Sequence, residues 1–223
     1  MDKKLFAQAI VKFLCGVLLV GALIFAPAGT VHFASGWLLM GILFVPMFAV
    51  GLVMLKKNPK LLEKRLQVNE KEKTQSTVVK LSGLMFIAGF VLAGLDFRYQ
   101  WLPLPSWVNI AAAAAFLLAY LMYAEVLREN TYLSRTIEVQ ENQKVVDTGL
   151  YGIVRHPMYS ATILLFLSMP LVLGSLVSFA CFLIYPFLIA ARIANEEQVL
   201  ERELAGYKEY KQKVRYKMLP FIW

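Results

Sequence analysis

Charge is what this 223-residue chain is short of: Lys, Arg, Asp and Glu make up 17% of it and hydrophobic residues 59%, where soluble domains carry about 25% charged residues. That deficit, with a mean hydropathy of +0.59, excludes an ordinary water-soluble domain. Cysteine is nearly absent too. Cys15 and Cys181 both fall inside apolar runs, so no disulfide framework can be built, and with only His32 and His156 beside them no zinc site either. Both thiols read as packing residues. The chain lacks an aromatic-interleaved basic repeat, so its net charge of +8 does not read as nucleic-acid binding. It lacks the inverted repeats and deeply placed charges that would support transport. It carries no C-terminal prenylation motif.

Long apolar runs are what it has. Four, near 5–27, 34–55, 78–97 and 107–127, are each long enough for about 20 residues at 1.5 Å to cross the hydrocarbon core. A fifth stretch, 158–193, is too long for one crossing and is interrupted by Pro170, Gly174 and Ser175. It reads as a helical hairpin whose turn lies near the far surface or against protein. The expected fold is therefore all-α integral membrane, with about six transmembrane helices, or five if one arm of the hairpin is only partly inserted. The N-terminal Lys3, Lys4, apolar run and Ala-x-Ala at 26–28 imitate a secretory signal, but the run is too long for one and reads as a retained helix.

Six crossings with a cytoplasmic N-terminus put every Lys and Arg except Arg98 in the cytoplasm or at cytoplasmic helix ends. The positive-inside rule favours that orientation, and the basic excess reads as topology and attraction to membrane lipids. Both termini and all long polar segments then face the cytosol. The default location is a prokaryotic inner membrane. Within the loop 56–77, leucines 61, 62 and 66 among charges predict a short amphipathic helix on the membrane surface. The alanine run at 111–115 predicts a smooth face for close packing. Asp96 and Glu125, near helix ends, are expected to be solvated or paired with arginine rather than functional intramembrane carboxylates.

The organisation divides at about residue 128: four transmembrane helices with the basic loop in 1–127, and a polar catalytic region with hairpin and interfacial C-terminal helix in 128–223. Segment 128–157 carries a strand-like TIEVQ, the turn formers Asp147, Thr148 and Gly149, and then VRHPMYSA at 154–161. Pro157 suits the first position of a helix, whose start would offer free amides and a positive dipole end. The hairpin returns Arg192 and Glu196, four apart and on one helix face, to the side of the membrane that holds Arg155 and His156. Each pair alone reads equally well as a headgroup anchor or an ordinary helix pair. Together they read as a site.

These residues resemble the integral-membrane methyltransferases that include the isoprenylcysteine carboxyl and phospholipid methyltransferases. The resemblance rests on VVDTGLYGIVRHPMY at 145–159, RIANEE at 192–197, GYKEY at 206–210, and Arg215 and Pro220. It implies methyl transfer from S-adenosylmethionine to a lipidic or prenylated acceptor, most like carboxyl O-methylation of isoprenylcysteine. It also implies that Gln140, Gln143, Lys144, Val145, Val146, Tyr151, His156, Pro157, Met158, Tyr159 and Glu196 line the cofactor. Arg192 would face the substrate, and Arg192 and Glu196 would carry the catalysis. The chemistry suits the cofactor: Glu196 can bind an ammonium or oppose positive charge, His156 and helix-start amides can hold a carboxylate, and Tyr151 and Tyr159 offer faces for adenine or sulfonium. A carboxylate acceptor needs no general base, and Arg192 would orient it. An amine must lose a proton, which makes Glu196, Glu197 or His156 a base. The rival readings are an NADPH-dependent membrane reductase of the sterol-reductase type and a non-catalytic membrane protein.

Overall fold

A computed structural model of the chain describes residues 3–66, 73–133 and 139–223. Among them the fold is all helix, with an isolated bridge between Pro103 and Ser175 and no strand. Helices α1 (Lys3–Ala28) and α2 (Ala34–Lys57) form the first antiparallel pair, α1 ending at Gly29 with φ +68°, the left-handed conformation that glycine adopts without steric cost. Asn58 caps the next helix, its Oδ1 accepting the Leu61 amide at 3.1 Å, and Pro59 follows at the position where a missing N–H costs nothing.

That helix, α3 (Pro59–Leu66), is the surface helix expected from its leucines. Leu61 and Leu62 are buried, Leu62 clusters with Leu5 of α1 and Leu55 of α2, and Lys12 donates to the Leu66 carbonyl at 2.5 Å. The rest of the loop up to residue 72 lies outside the described residues, as do residues 136–138 of the strand-like TIEVQ. Val139 and Gln140, which end that segment, are not in a strand.

Helices α4 (Lys73–Tyr99) and α5 (Ser106–Glu129) cross next. Gly94 brings α4 against α1 so closely that a Cβ there would lie 2.5 Å from the Ile24 carbonyl oxygen. In the alanine run only Ala112 is buried; Ala119, a further two turns on, and Phe116 between them complete the packed face. A long polar segment with a 3-10 turn at Gly149–Gly152 leads to the hairpin: α6 (Pro157–Val172), α7 (Leu176–Phe182) and α8 (Tyr185–Glu203). Helix α9 (Tyr207–Lys213) and a tail close the chain.

Five helical spans are long and apolar enough to cross a membrane, α7 and α8 counting together as one. With 16 residues α6 falls short of the roughly 20 that a crossing takes, so the five-span form of the expectation is the one that length and composition satisfy. The break in the hairpin lies at 173–175, where Gly174 has φ +78°, while Pro170 stays inside α6. A second, unexpected bend separates α7 from α8, because Pro186 has no N–H to give the carbonyl four residues earlier.

The hairpin turn is held against protein, as backbone polar groups at that depth require. Asn109 of α5 donates to the Val172 carbonyl at 2.9 Å, and the Ser175 hydroxyl donates to Asp96 of α4 at 2.6 Å. Asp96 also accepts the Leu102 amide at 3.1 Å and is buried. This corrects the expected solvated or arginine-paired Asp96: it is a buried pin between two helix ends. Glu125 pairs with Arg128 at 2.6 Å, exposed as expected. One core runs through α1, α2 and α4 to α8, with Phe116, Phe182 and Ile193 fully enclosed.

Candidate functional site

Apart from Asp96 at the turn, the buried charged side chains of the described residues gather at the opposite end of the bundle. Arg155 and Glu197 are both almost fully enclosed and meet at 2.7 Å. Burial of a charge is tolerated when it is paired and its remaining hydrogen-bonding capacity is used, and here much of it is used. The Arg155 guanidinium also donates to the Val214 and Arg215 carbonyls at 2.8 and 2.7 Å, and His156 Nε2 lies 3.2 Å from the same Glu197 oxygen. The backbone amides of Arg155 and His156 donate to the carbonyls of Tyr216 and Lys217, and the Ser160 hydroxyl to that of Met218.

The tail thus lies across the start of α6. Of the amides at the helix start, that of His156 is committed to the tail, Pro157 has none, and the Tyr159 amide turns back to the His156 carbonyl at 3.0 Å. Arg155, which sequence alone places at the mouth of the helix, is a tie to the tail and also borders the cavity there.

Tyr159, one turn into α6, is the hub. Its hydroxyl donates to Glu196 Oε2 at 2.5 Å and accepts from Arg192 Nε at 2.8 Å, so the Arg192 and Glu196 face of α8 is bridged by a phenol from α6. Behind Arg192, Gln75 of α4 donates to Asn195 Oδ1 at 2.7 Å, fixing that turn of α8. The His156 ring stacks beside Tyr159, with centroids 5.8 Å apart.

Two cavities meet at this hub. The first, a cleft of about 830 Å³ counted out to open solvent, is walled by Gln143, Lys144, Val145 and Val146 of the polar segment, by Tyr151, Arg155, His156, Met158, Tyr159, Arg192 and Glu196, and by Leu200, Leu204, Tyr207 and Tyr210. Ten of the residues proposed from sequence therefore line one space. Gln140 and Pro157 do not. Gln140 folds back on its own loop, donating to the Tyr132 carbonyl at 2.5 Å while its amide donates to Gln143 Oε1, and Pro157 is buried at the first position of α6.

Asn130, Tyr132 and Leu133 also line the cavity. They precede the motif, and only the fold brings them near. Asn130 donates to the Tyr151 hydroxyl at 3.0 Å, and the Tyr210 hydroxyl donates to the Tyr151 carbonyl at 2.8 Å. Lys213 ties α9 to Asp147 at 2.7 Å, its charge and hydrogen bond lowering that carboxyl. Burial raises the phenols of Tyr151, Tyr207 and Tyr210 well above their ordinary range, so they stay neutral donors throughout the physiological range.

The second, a cleft of about 900 Å³ counted out to open solvent, lies between α3, α4, α5, α6 and α8. Its wall is largely apolar, with Val78, Phe86, Tyr185 and Ile189, and it shares Met158, Tyr159 and Arg192 with the first.

Among the described residues no group of three or more His, Cys, Asp or Glu is placed to hold a metal. The first cavity does suit S-adenosylmethionine by its donor set. It pairs a carboxylate with aromatic and aliphatic walls, and the buried Tyr207 hydroxyl beside it has no hydrogen-bond partner among the described residues. A buried hydroxyl without a partner is costly, and a bound polar molecule would relieve that. Residues 107–206, from the start of α5 through α8 to Gly206, match the family model of phospholipid methyltransferase.

Proposed function

We propose that this membrane methyltransferase, whose residues 107–206 belong to the phospholipid methyltransferase family, moves a methyl group from S-adenosylmethionine to a lipidic acceptor, most like carboxyl O-methylation of a prenylated cysteine. One observation carries the reading: a polar cavity and a largely apolar one meet at Met158, Tyr159 and Arg192. A water-soluble cofactor and a membrane-borne acceptor need such a junction, because neither is stable in the other's surroundings.

Bound in the polar cavity, S-adenosylmethionine supplies an electrophilic methyl group. The chain's own residues do the rest. Glu196, held by Tyr159, takes the cofactor's positive charge, and Tyr151 and the aliphatic Leu200 and Leu204 bracket flat and apolar surface. Arg192, with its Nε committed to Tyr159, turns its guanidinium towards the acceptor and orients a carboxylate. Holding the two reactants in line is itself worth about 7–11 kcal/mol in favourable cases, so positioning suffices for an acceptor that is already ionised. The orientation proposed with this reading places the polar cavity on the cytoplasmic side and the apolar one in the bilayer.

The test is calorimetric binding of S-adenosylmethionine, S-adenosylhomocysteine and NADPH to detergent-purified protein, with Glu196→Ala and His156→Ala alongside. We expect both adenosyl compounds to bind the parent protein and to lose at least tenfold in affinity in each variant, about 1.4 kcal/mol or more. Binding of NADPH alone would overturn the reading in favour of a reductase.

A further inference from the structure

Residues 218–223 lie beyond the stretch that matches the family. Met218 is buried in the main core, and Trp223 packs against the same core. The Trp223 carbonyl accepts the amides of Met218 and Leu219, both at 3.0 Å, and Phe221 stands at φ +66°, so the six residues close into a tight loop. The loop turns its apolar side chains outwards. Phe221 is 87% and Ile222 78% exposed, and Leu219 is half-exposed beside them. Large apolar groups presented together in this way mark a surface that something apolar covers.

The depth of the loop follows from α6. The far end of α6 is gripped by Asn109, in the first turn of the crossing helix α5, and α6 has 16 residues where α5 has 24. The two run antiparallel, so the start of α6 lies level with Tyr123, about 9 Å inside the end of α5 at 1.5 Å per residue. A side chain spans that level: Arg65 of α3, at the edge of the second cavity, has its guanidinium carbon 5.3 Å from the centre of the Tyr123 ring and points an N–H to the Met158 sulfur at 3.8 Å. The tail descends along α6 from there. The amides of Arg155 and His156 meet the carbonyls of Tyr216 and Lys217, and Ser160, one turn deeper, reaches that of Met218. Residues 218–223 therefore stand at the first turn of α6, at the boundary of acyl chains and headgroups. Aromatic rings and the long stems of Lys and Arg favour that boundary. Both flank the loop: Lys217 Nζ lies 4.7 Å from the centre of the Trp223 ring, the Tyr216 and Phe221 rings are 5.4 Å apart, and Arg215 is exposed.

We propose that residues 219–222 are an interfacial membrane anchor, whose partner is the lipid surface of the bilayer that holds the bundle. Leu219, Phe221 and Ile222 insert among the acyl chains, and Arg215 and Lys217 stand at headgroup level. The lipid surface is the occupant because the loop adjoins the apolar flank of the crossing helices at the same depth. The anchor also secures the strap across the start of α6, since the carbonyls that hold Arg155 and the His156 amide belong to the same tail. None of this depends on which cofactor or acceptor the cavities take.

The test places a nitroxide at Phe221→Cys or Ile222→Cys in protein without its own thiols (Cys15→Ala and Cys181→Ala), reconstituted into phosphatidylcholine nanodiscs. Collision with oxygen, which concentrates among acyl chains, is compared with collision with a water-soluble nickel complex, and Lys208→Cys on the exposed side of α9 is the aqueous reference. The oxygen-to-nickel ratio at 221 and 222 should exceed that at 208 at least about tenfold, the factor by which burying one large apolar side chain shifts an insertion equilibrium. With Phe221→Asp and Ile222→Asp together, a label at Leu219→Cys should lose about tenfold in the same ratio, because the loop inserts as a unit. Thermal unfolding in detergent checks that this double variant keeps its bundle; the first comparison needs no charged variant and decides alone if it does not.

Equal ratios at 208, 221 and 222 overturn the anchor, since the loop then stands in water. Low collision with both reagents, with spin–spin broadening only in discs that hold more than one copy, overturns it in favour of contact between copies of the chain. A Leu219 label indifferent to the two aspartates overturns insertion of the loop as a unit.

Discussion

A single oxygen, the Tyr159 hydroxyl, joins the two residues on which the proposed chemistry depends. It donates to Glu196 and accepts from Arg192, so it holds a carboxylate and a guanidinium in fixed orientation. Tyr159→Phe keeps the ring and its packing and deletes this bridge. A hydrogen bond to a charged group contributes about 1.5–3 kcal/mol, so kcat/KM for methyl transfer should fall about ten- to hundredfold, measured with any acceptor the protein turns over. A loss of less than about threefold would show that Arg192 and Glu196 hold their places without the phenol.

At the scale of the element, the hairpin explains what the sequence could and could not reveal. Its apolar length and the Gly174 and Ser175 turn are local signals, and the helix-forming runs before it are equally plain. The second bend, ahead of Pro186, hides inside an apolar stretch whose composition does not change. His156, Glu196 and Arg192 were legible because each sits in a short motif at the end of an apolar run. The ties from Arg155 to the tail were not, since backbone carbonyls are the same in every residue and leave no mark in sequence. Arg65 was equally silent, because α3 reaches the cavity only through tertiary packing.

Close helix contact is likewise written in single glycines. Gly94→Ala should force α1 from α4 against the Ile24 carbonyl and cost about 1–3 kcal/mol. Gly83→Ala, which meets nothing within 4 Å, should be neutral or slightly stabilising. Thermal unfolding in a fixed detergent distinguishes them, and equal effects would contradict the packing described.

For the whole molecule, the basic residues and the two cavities make one joint statement about orientation. With the polar cavity facing the cytosol, a cysteine introduced at Lys208, on the exposed side of α9, should react with a membrane-impermeant maleimide in inside-out vesicles and remain protected in right-side-out ones. Labelling only in right-side-out vesicles would reverse the topology and with it the route proposed for the cofactor.

The hairpin turn has a mechanical meaning that its hydrogen bonds do not state. Asp96 and Asn109 grip it at one end, and Tyr159, Arg192 and Glu196 lie at the other. The arm between them is α6, 16 residues or about 24 Å long at 1.5 Å per residue. It is a lever with its fulcrum at the buried aspartate, and a tilt of about 2° there displaces the far end by about 0.8 Å, close to the roughly 1 Å misplacement that can cost a hundredfold in rate. A residue remote from both proposed reactants is thereby set to govern how well they would be aligned.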